Sequence, residues 1–420
     1  MESFRTKVNV APTVLVNTLI AAGALVGTVA LFKAIFGSCP TVYSSDGTVE
    51  EAELFSNSVA PLFEARDLDR LRAQPDADGI LKLEVRNEAM ETHYINHLQL
   101  FEARHSAEEF VLPDAQSHPI AVHGIRTPAD IVDRNGQNLS EMLNAADGVF
   151  YRTDRQRIES VTSDDLNDWI DLTAAVPQGA DSTTLVFRLR NSLLETTLLY
   201  DVMLAPAGAR SIDWLGAGLN HVSAAVEMGR WYERRAGLHI SVFRDGAYRE
   251  VARVPDSGPI FWHDVAAVIP ARPGESSLRI RLSFLADQWR IDRIGVAAGE
   301  RPVEPRIIQI SEVRGSNGHP EPAARESLSA PDDGYLQTGP GERFFVDFTV
   351  GPAPSGLSRT FLLSSQGYYT EWIRGAWIQS ASSKEPFIPD DGAILTAMRA
   401  WAEKREPFEA RFMRDRVPVH

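Results

Sequence analysis

The chain has 420 residues, and 42 Lys and Arg against 57 Asp and Glu leave a formal charge of −15. That balance excludes a nucleic-acid binder built on clustered cations. With 44% hydrophobic and 24% charged residues, bulk disorder is excluded too, and a single cysteine excludes an internal disulfide or a cysteine-rich zinc site.

No charge occurs between Lys7 and Lys33. Residues 13–36 read TVLVNTLIAAGALVGTVALFKAIF. A helix of that length spans roughly 36 Å, enough for a hydrocarbon core of ~30 Å. Arg5 and Lys7 precede the stretch, and Asp46, Glu50, Glu51 and Glu53 follow it. The positive-inside rule then places residues 1–12 in the cytoplasm and the rest outside. The expected location is the cytoplasmic (inner) membrane, with a single pass and the body in the periplasm. Two other readings stay open. Phe36-Gly37-Ser38-Cys39 has the ending of a lipoprotein signal, with Cys39 lipidated, and the apolar stretch could be a cleaved secretory signal. Within the span, Gly23, Gly27, Ala30 and Ala34 form a small-residue face suited to packing against a partner helix.

The remainder alternates with period two. Residues 80–86 (ILKLEVR), 238–243 and 278–282 place apolar side chains on one face. Asp245-Gly246 between two such runs is a hairpin signal. Residues 291–296, 343–350 and 360–365 continue the pattern. The expected class is mainly β: an N-terminal transmembrane helix, then tandem antiparallel β-sandwich or jelly-roll domains with a few packing helices. Helical spacing marks 213–235, closing at Gly237, and 393–404, ending before Pro407.

Internal repetition refines this. Residues 168–191 align without gaps with 344–367, an offset of 176. Ile170 and Leu172 match Val346 and Phe348, while Leu185 and Phe187 match Phe361 and Leu363. A gap-free match forbids a one-residue slip, which would exchange the two faces. A second similarity, at offset 104, relates 86–100 to 190–204. The expected division is a first sandwich at 40–127, a second at 128–208 and a helix plus jelly-roll-like β domain at 209–300. A sandwich related to the second occupies 301–380, and 381–420 is a helical tail.

Chemistry is sparse. His93 and His97 stand in His-x-x-x-His, but four residues along a strand separate their side chains by ~13 Å, too far to share an ion. Asp76-Ala77-Asp78-Gly79, Pro331-Asp332-Asp333-Gly334 and Pro389-Asp390-Asp391-Gly392 read as turns. No nucleophile elbow or phosphate loop is present, so no catalytic residue, cofactor or metal is assigned. The densest aromatic stretch holds Tyr368, Tyr369, Trp372 and Trp377. Such rings stack on sugars or anchor a protein partner, or else pack as a half-buried strand.

Three segments carry a resemblance: Ser38-Cys39-Pro40-Thr41-Val42-Tyr43 with Asp46-Gly47, residues 289–296, and Ser365-Gln366-Gly367-Tyr368-Tyr369-Thr370-Glu371-Trp372. Together they resemble an uncharacterised group of bacterial exported or membrane-anchored β-sandwich proteins. The resemblance implies a bacterial origin and an extracytoplasmic β-rich body. That group has no assigned activity, so no catalytic residue transfers from it. The expected function is a non-catalytic, membrane-anchored scaffold or accessory subunit whose partners are other membrane or envelope proteins. A glycan or cell-wall binder is the alternative, and an extracytoplasmic hydrolase the second.

Protease added outside spheroplasts should therefore digest the chain beyond about residue 45. Cys39→Ser should leave the chain in the membrane fraction. Protection of the body until lysis, or detachment of Cys39→Ser, would overturn the orientation or the anchor respectively.

Overall fold

The computed structural model describes residues 39–55, 58, 64–218, 221–352, 355–379, 382, 388–414 and 416–420. The expected span and its packing residues Gly23, Gly27, Ala30 and Ala34 lie outside them. Among the described residues, no helix is long and apolar enough to cross a membrane.

The fold is mainly β, 44% strand against 20% helix. In chain order the first strands are β1 Thr41–Ser44, β2 Val49–Glu53, β3 Ala65–Arg70, β4 Ile80–Arg86, β5 Glu91–His105, β6 Glu109–Pro113 and β7 Pro119–His123. Then come β8 Ala129–Asp133, β9 Asn167–Ala175, β10 Ser182–Asn191, β11 Leu238–Arg244, β12 Ala247–Val254, β13 His263–Pro270, β14 Ser277–Leu285 and β15 Trp289–Ala297. The last are β16 Gly299–Pro302, β17 Arg306–Ile308, β18 Ile310–Gly315, β19 Leu336–Thr338, β20 Arg343–Thr349 and β21 Ser358–Glu371.

These strands build two sandwiches. In the first, sheet β18-β20-β4-β1-β2 faces sheet β17-β5-β21-β3, with β19 paired to β5. Their shared core includes Leu83, Val85, Val346, Phe348, Leu100, Phe361 and Leu363. In the second, sheet β12-β11-β14-β9-β8 faces sheet β13-β10-β15. Its core includes Ile170, Leu172, Ile240, Ile280, Leu185, Phe187 and Trp289. The repeat-matched residues thus occupy equivalent core positions: β9 and β20 lie in one layer of each sandwich, β10 and β21 in the opposing layer.

The division of the chain differs from the expected one. Strands from 40–127 and 301–380 interleave in a single sandwich, with β4 paired to β20 through Val85↔Phe344 and Leu83↔Val346. Segments 128–208 and 209–300 together make the other. The layers correspond strand for strand: β18-β20-β4-β1-β2 to β8-β9-β14-β11-β12, and β5-β21-β3 to β15-β10-β13. The second sandwich runs through those positions in order, β8 to β15. The first runs through them as β18, β20, β21, then β1 to β5. It is a circular permutation of the second, which is inserted between β5 and β18. Strand pairing depends on which edges meet in space, so local pattern could reveal the repeat but not the permutation.

A three-stranded sheet, β16-β7-β6, lies between the sandwiches. Alternation along β6 and β7 gives it two apolar faces. Val111 and Ala121 pack on Leu68, Ala103 and Leu362 of the first sandwich. Leu112, Ile120 and Val122 pack on Val186, Ala266 and Ala297 of the second. This explains the unbroken apolar run Leu185-Val186-Phe187, because β10 is buried on both faces.

Three helical expectations are corrected. Residues 194–204, matched at offset 104 to strand β5, are helical: an α-turn at Leu194–Thr197 continues as a π-helix through Leu198–Leu204. Their side chains are buried almost all round, against the C-terminal helix. The helix expected over 213–235 is regular only over Val222–Arg235. Before it come Arg210–Asp213 and a π-helical Trp214–Gly218. The expected stop before Pro407 fails, since the helix runs Asp391–Arg414 with Pro407 inside. Proline removes one backbone hydrogen bond. Contacts on both sides hold the helix: Trp401 Nε1 donates to Asp287 Oδ2 at 2.7 Å, and Arg290 Nη2 meets Glu409 Oε1 at 2.7 Å.

Leu112 is fully buried in the dry face between the central sheet and the second sandwich. Leu112→Ala should cost about 2–5 kcal/mol. Because the central sheet is shared, thermal unfolding should shift as one transition. A split melt in which only one sandwich moves would contradict this packing.

Candidate functional site

Beside the central sheet the sandwiches leave a cleft of about 90 Å³. β2 and β3 form one wall, with Glu51, Asp67, Asp69 and Arg70. Trp262, His263 and Asp264, at the start of β13, form the other, with Asp256 and Ser257 from the loop after β12. Glu53 lies behind His263, fully buried.

His263 Nδ1 stands 3.3 Å from Asp69 Oδ1, and its Nε2 stands 4.0 Å from Glu53 Oε2. The other Glu53 oxygen accepts from the Phe261 amide at 2.8 Å. Four buried polar atoms here have no hydrogen-bond partner: Glu53 Oε2, Arg70 Nε, Ser257 Oγ and His263 Nε2. Buried polar groups are nearly always satisfied, so these atoms stand out in the packing.

Burial pushes the Glu53 carboxyl up to about 7, against the opposing charge of His263. Burial alone would lower the His263 imidazole. The hydrogen bond and charge of Asp69, with the charge of Glu53, outweigh it, and the net shift is upward. Burial also raises Asp256, although Asn191, Gly237, Gln288 and Tyr232 hydrogen-bond it. Gln288 Nε2 bridges Asp256 at 3.0 Å and Glu195 at 2.8 Å. Burial drives the Glu195 carboxyl well above the usual range, with the Asp256 charge adding to it.

At the rim, Arg188 ties the sandwiches together. It meets Glu51 of β2 at 2.8 Å, Asp264 of β13 at 3.4 Å and Asp292 of β15 at 3.3 Å. Arg72 also pairs with Glu51. Trp262 is half-buried, with the Phe150 ring 5.5 Å away and the Arg190 guanidinium 5.1 Å from its ring centre.

The aromatic stretch singled out in the sequence does not form one surface. Tyr369 and Trp377 are buried in the core beneath the C-terminal helix. Tyr368 is buried and stacked on Tyr94, with centroids 4.6 Å apart and planes 6° apart. Trp372 alone of the four is exposed, and its Nε1 donates to Thr92 Oγ1 at 2.9 Å. His93 is buried and pairs with Glu91 at 2.6 Å, while His97 is only half-buried. Among the described residues no group of His, Cys, Asp and Glu is placed to hold a metal. The Cys39 thiol is buried with Ile260 and Phe261, and burial pushes it up.

The sequence offered no signal for the cleft. His263 stands about two hundred positions from Glu53 and Asp69, and only sandwich packing brings them together.

No family profile matches the chain, and no curated protein matches it. Among solved structures, one similar chain is a GH31 alpha-xylosidase from Xanthomonas citri, at 10% identity and a TM-score of 0.16. The alignment covers 72% of this chain and 28% of that enzyme. A likeness at that score carries no argument about fold or activity.

A carboxyl held above its unfolded pKa keeps its proton longer in the folded chain. Its contribution is complete below about pH 4.5 and is lost as pH rises towards about 7. The raised Asp256 and His263 have the same sign. Urea midpoints should therefore fall between about pH 4.5 and 7.5. Expressed as unfolding free energy, Glu53→Gln should shrink that fall by no more than about 3.5 kcal/mol. A midpoint that rises over this window would refute the assignment.

Proposed function

We propose that the chain is a membrane-anchored extracytoplasmic protein that binds a glycan of the cell envelope in the cleft between its sandwiches. The observation that carries this reading is the set of unsatisfied donors and acceptors on residues lining the cleft, Arg70 Nε, His263 Nε2 and Ser257 Oγ. Interspersed donors and acceptors suit hydroxyl groups, which do both. The half-buried Trp262 ring adds a face on which a pyranose can stack. The anchor is supported by the uncharged run between Lys7 and Lys33.

A scaffold or accessory subunit is the second reading. Arg188 and the central sheet fix the two sandwiches rigidly against each other, as a scaffold requires. Its docking through Gly23, Gly27, Ala30 and Ala34 is tested by the size of the detergent-solubilised assembly after Gly23→Leu with Gly27→Leu.

Neutral cell-wall oligosaccharides titrated into the detergent-solubilised chain should bind. Trp262→Ala should weaken that binding roughly ten-fold or more, about 1.4 kcal/mol. No heat or shift with any such fragment, alongside a stable co-purifying protein, would replace this reading with the scaffold.

A further inference from the structure

Four exposed large apolar residues lie just after the end of β21 or in the β4–β5 connection beside it. Met90 is 40% exposed, Trp372 45%, Ile373 39% and Ile378 59%. Met90 and Trp372 are joined directly, since the Trp372 amide donates to the Met90 carbonyl at 2.9 Å. Ile373 follows Trp372, and Ile378 lies on the short helix Gly375–Gln379. The other exposed large apolar residues among those described, Val149, Val268, Ile307 and Leu357, lie in four separate segments.

This end is also where the described chain begins. β1 starts at Thr41 opposite Arg86, the last residue of β4. The Thr41 hydroxyl donates to Glu88 at 2.7 Å, two residues before Met90. β21 finishes there too, with Glu371 opposite Glu91. Chain start, β4–β5 connection and end of β21 therefore share one end of the sandwich.

The expected span ends at Phe36, and Cys39 is already buried in the body. Three residues reach at most about 11 Å. A tether that short leaves no room for the body to stand clear of the lipid. The end of the sandwich nearest Cys39 must then lie at the headgroup level, where tryptophan is favoured and apolar side chains reach the acyl boundary.

We infer that the surface made by Met90, Trp372, Ile373 and Ile378 rests on the lipid bilayer, seating the first sandwich on the membrane with β21 leading away from it. This rests on the anchored reading above. The opposite end of β21 is then the distal one. Fourteen residues at about 3.3 Å put it some 46 Å away, with the equally exposed Leu357 just beyond.

The test uses the full chain with one added cysteine, Ile378→Cys or Leu357→Cys, labelled with an environment-sensitive fluorophore; the buried Cys39 stays in place. The proteins are reconstituted into phosphatidylcholine–phosphatidylglycerol vesicles containing doxyl-labelled lipid. The label at 378 should lose most of its emission and the label at 357 none. If the chain floats with the vesicles but the label at 378 is unquenched, bilayer contact is overturned while the anchor stands. If the chain does not float with the vesicles, both fall. Quenching at both positions also overturns the inference, because the sandwich would then lie flat.

Discussion

The β16-β7-β6 sheet is buried on both faces, and that constraint organises the molecule. A strand alternates its side chains, so β6 and β7 satisfy two cores at once: Val111 and Ala121 face one sandwich, Leu112, Ile120 and Val122 the other. Rotating either sandwich would expose one of those faces to water. The Arg188 pairs at the rim add orientation more than stability, because buried charges lose in desolvation much of what they gain by attraction.

Double-sided burial also accounts for the strands that touch the central sheet. Val186 of β10 and Leu362 of β21 are repeat equivalents, and both point away from their own sandwich core towards the middle. The two sandwiches thus present matching layers to a common filling. The permutation leaves this intact. A sheet senses which edges are paired and which faces are covered, not the order in which the chain supplies them, provided the connections do not cross.

Polar side chains gather where the central sheet stops covering the junction. Glu53, His263 and Asp256 come from both sandwiches and meet, beside Asp69, in a place dry enough to shift their titration. Desolvation raises the Glu53 and Asp256 carboxyls, while the imidazole, held by Asp69 and Glu53, is pushed towards its charged form. Such a junction combines hydrogen-bonding capacity with shape, which neither sandwich has alone. The apolar end near Met90 and Trp372 follows a different logic: it lies where the described chain begins, and its apolar side chains stay exposed within this fold.

Local sequence carried the elements that depend on neighbours along the chain. Period-two runs marked strands of both sandwiches, and the gap-free match of 168–191 to 344–367 put Ile170 with Val346 and Phe187 with Leu363 in equivalent positions, because strand periodicity admits no slip. Burial on most sides defeated it at Leu194–Leu204, where apolar residues interspersed with Glu195, Thr196, Thr197 and Asp201 do not distinguish strand from helix. It failed again at Pro407, where tertiary contacts outweigh one missing hydrogen bond. Tyr369 and Trp377, left open between a binding patch and a packing strand, are core, since aromatic density alone does not say which side of a strand meets solvent. The pairing of β4 with β20, the permutation and the meeting of Glu53 with His263 were decided only by tertiary structure. Each joins residues some two hundred or more positions apart, and no local periodicity encodes which distant edge a strand will meet.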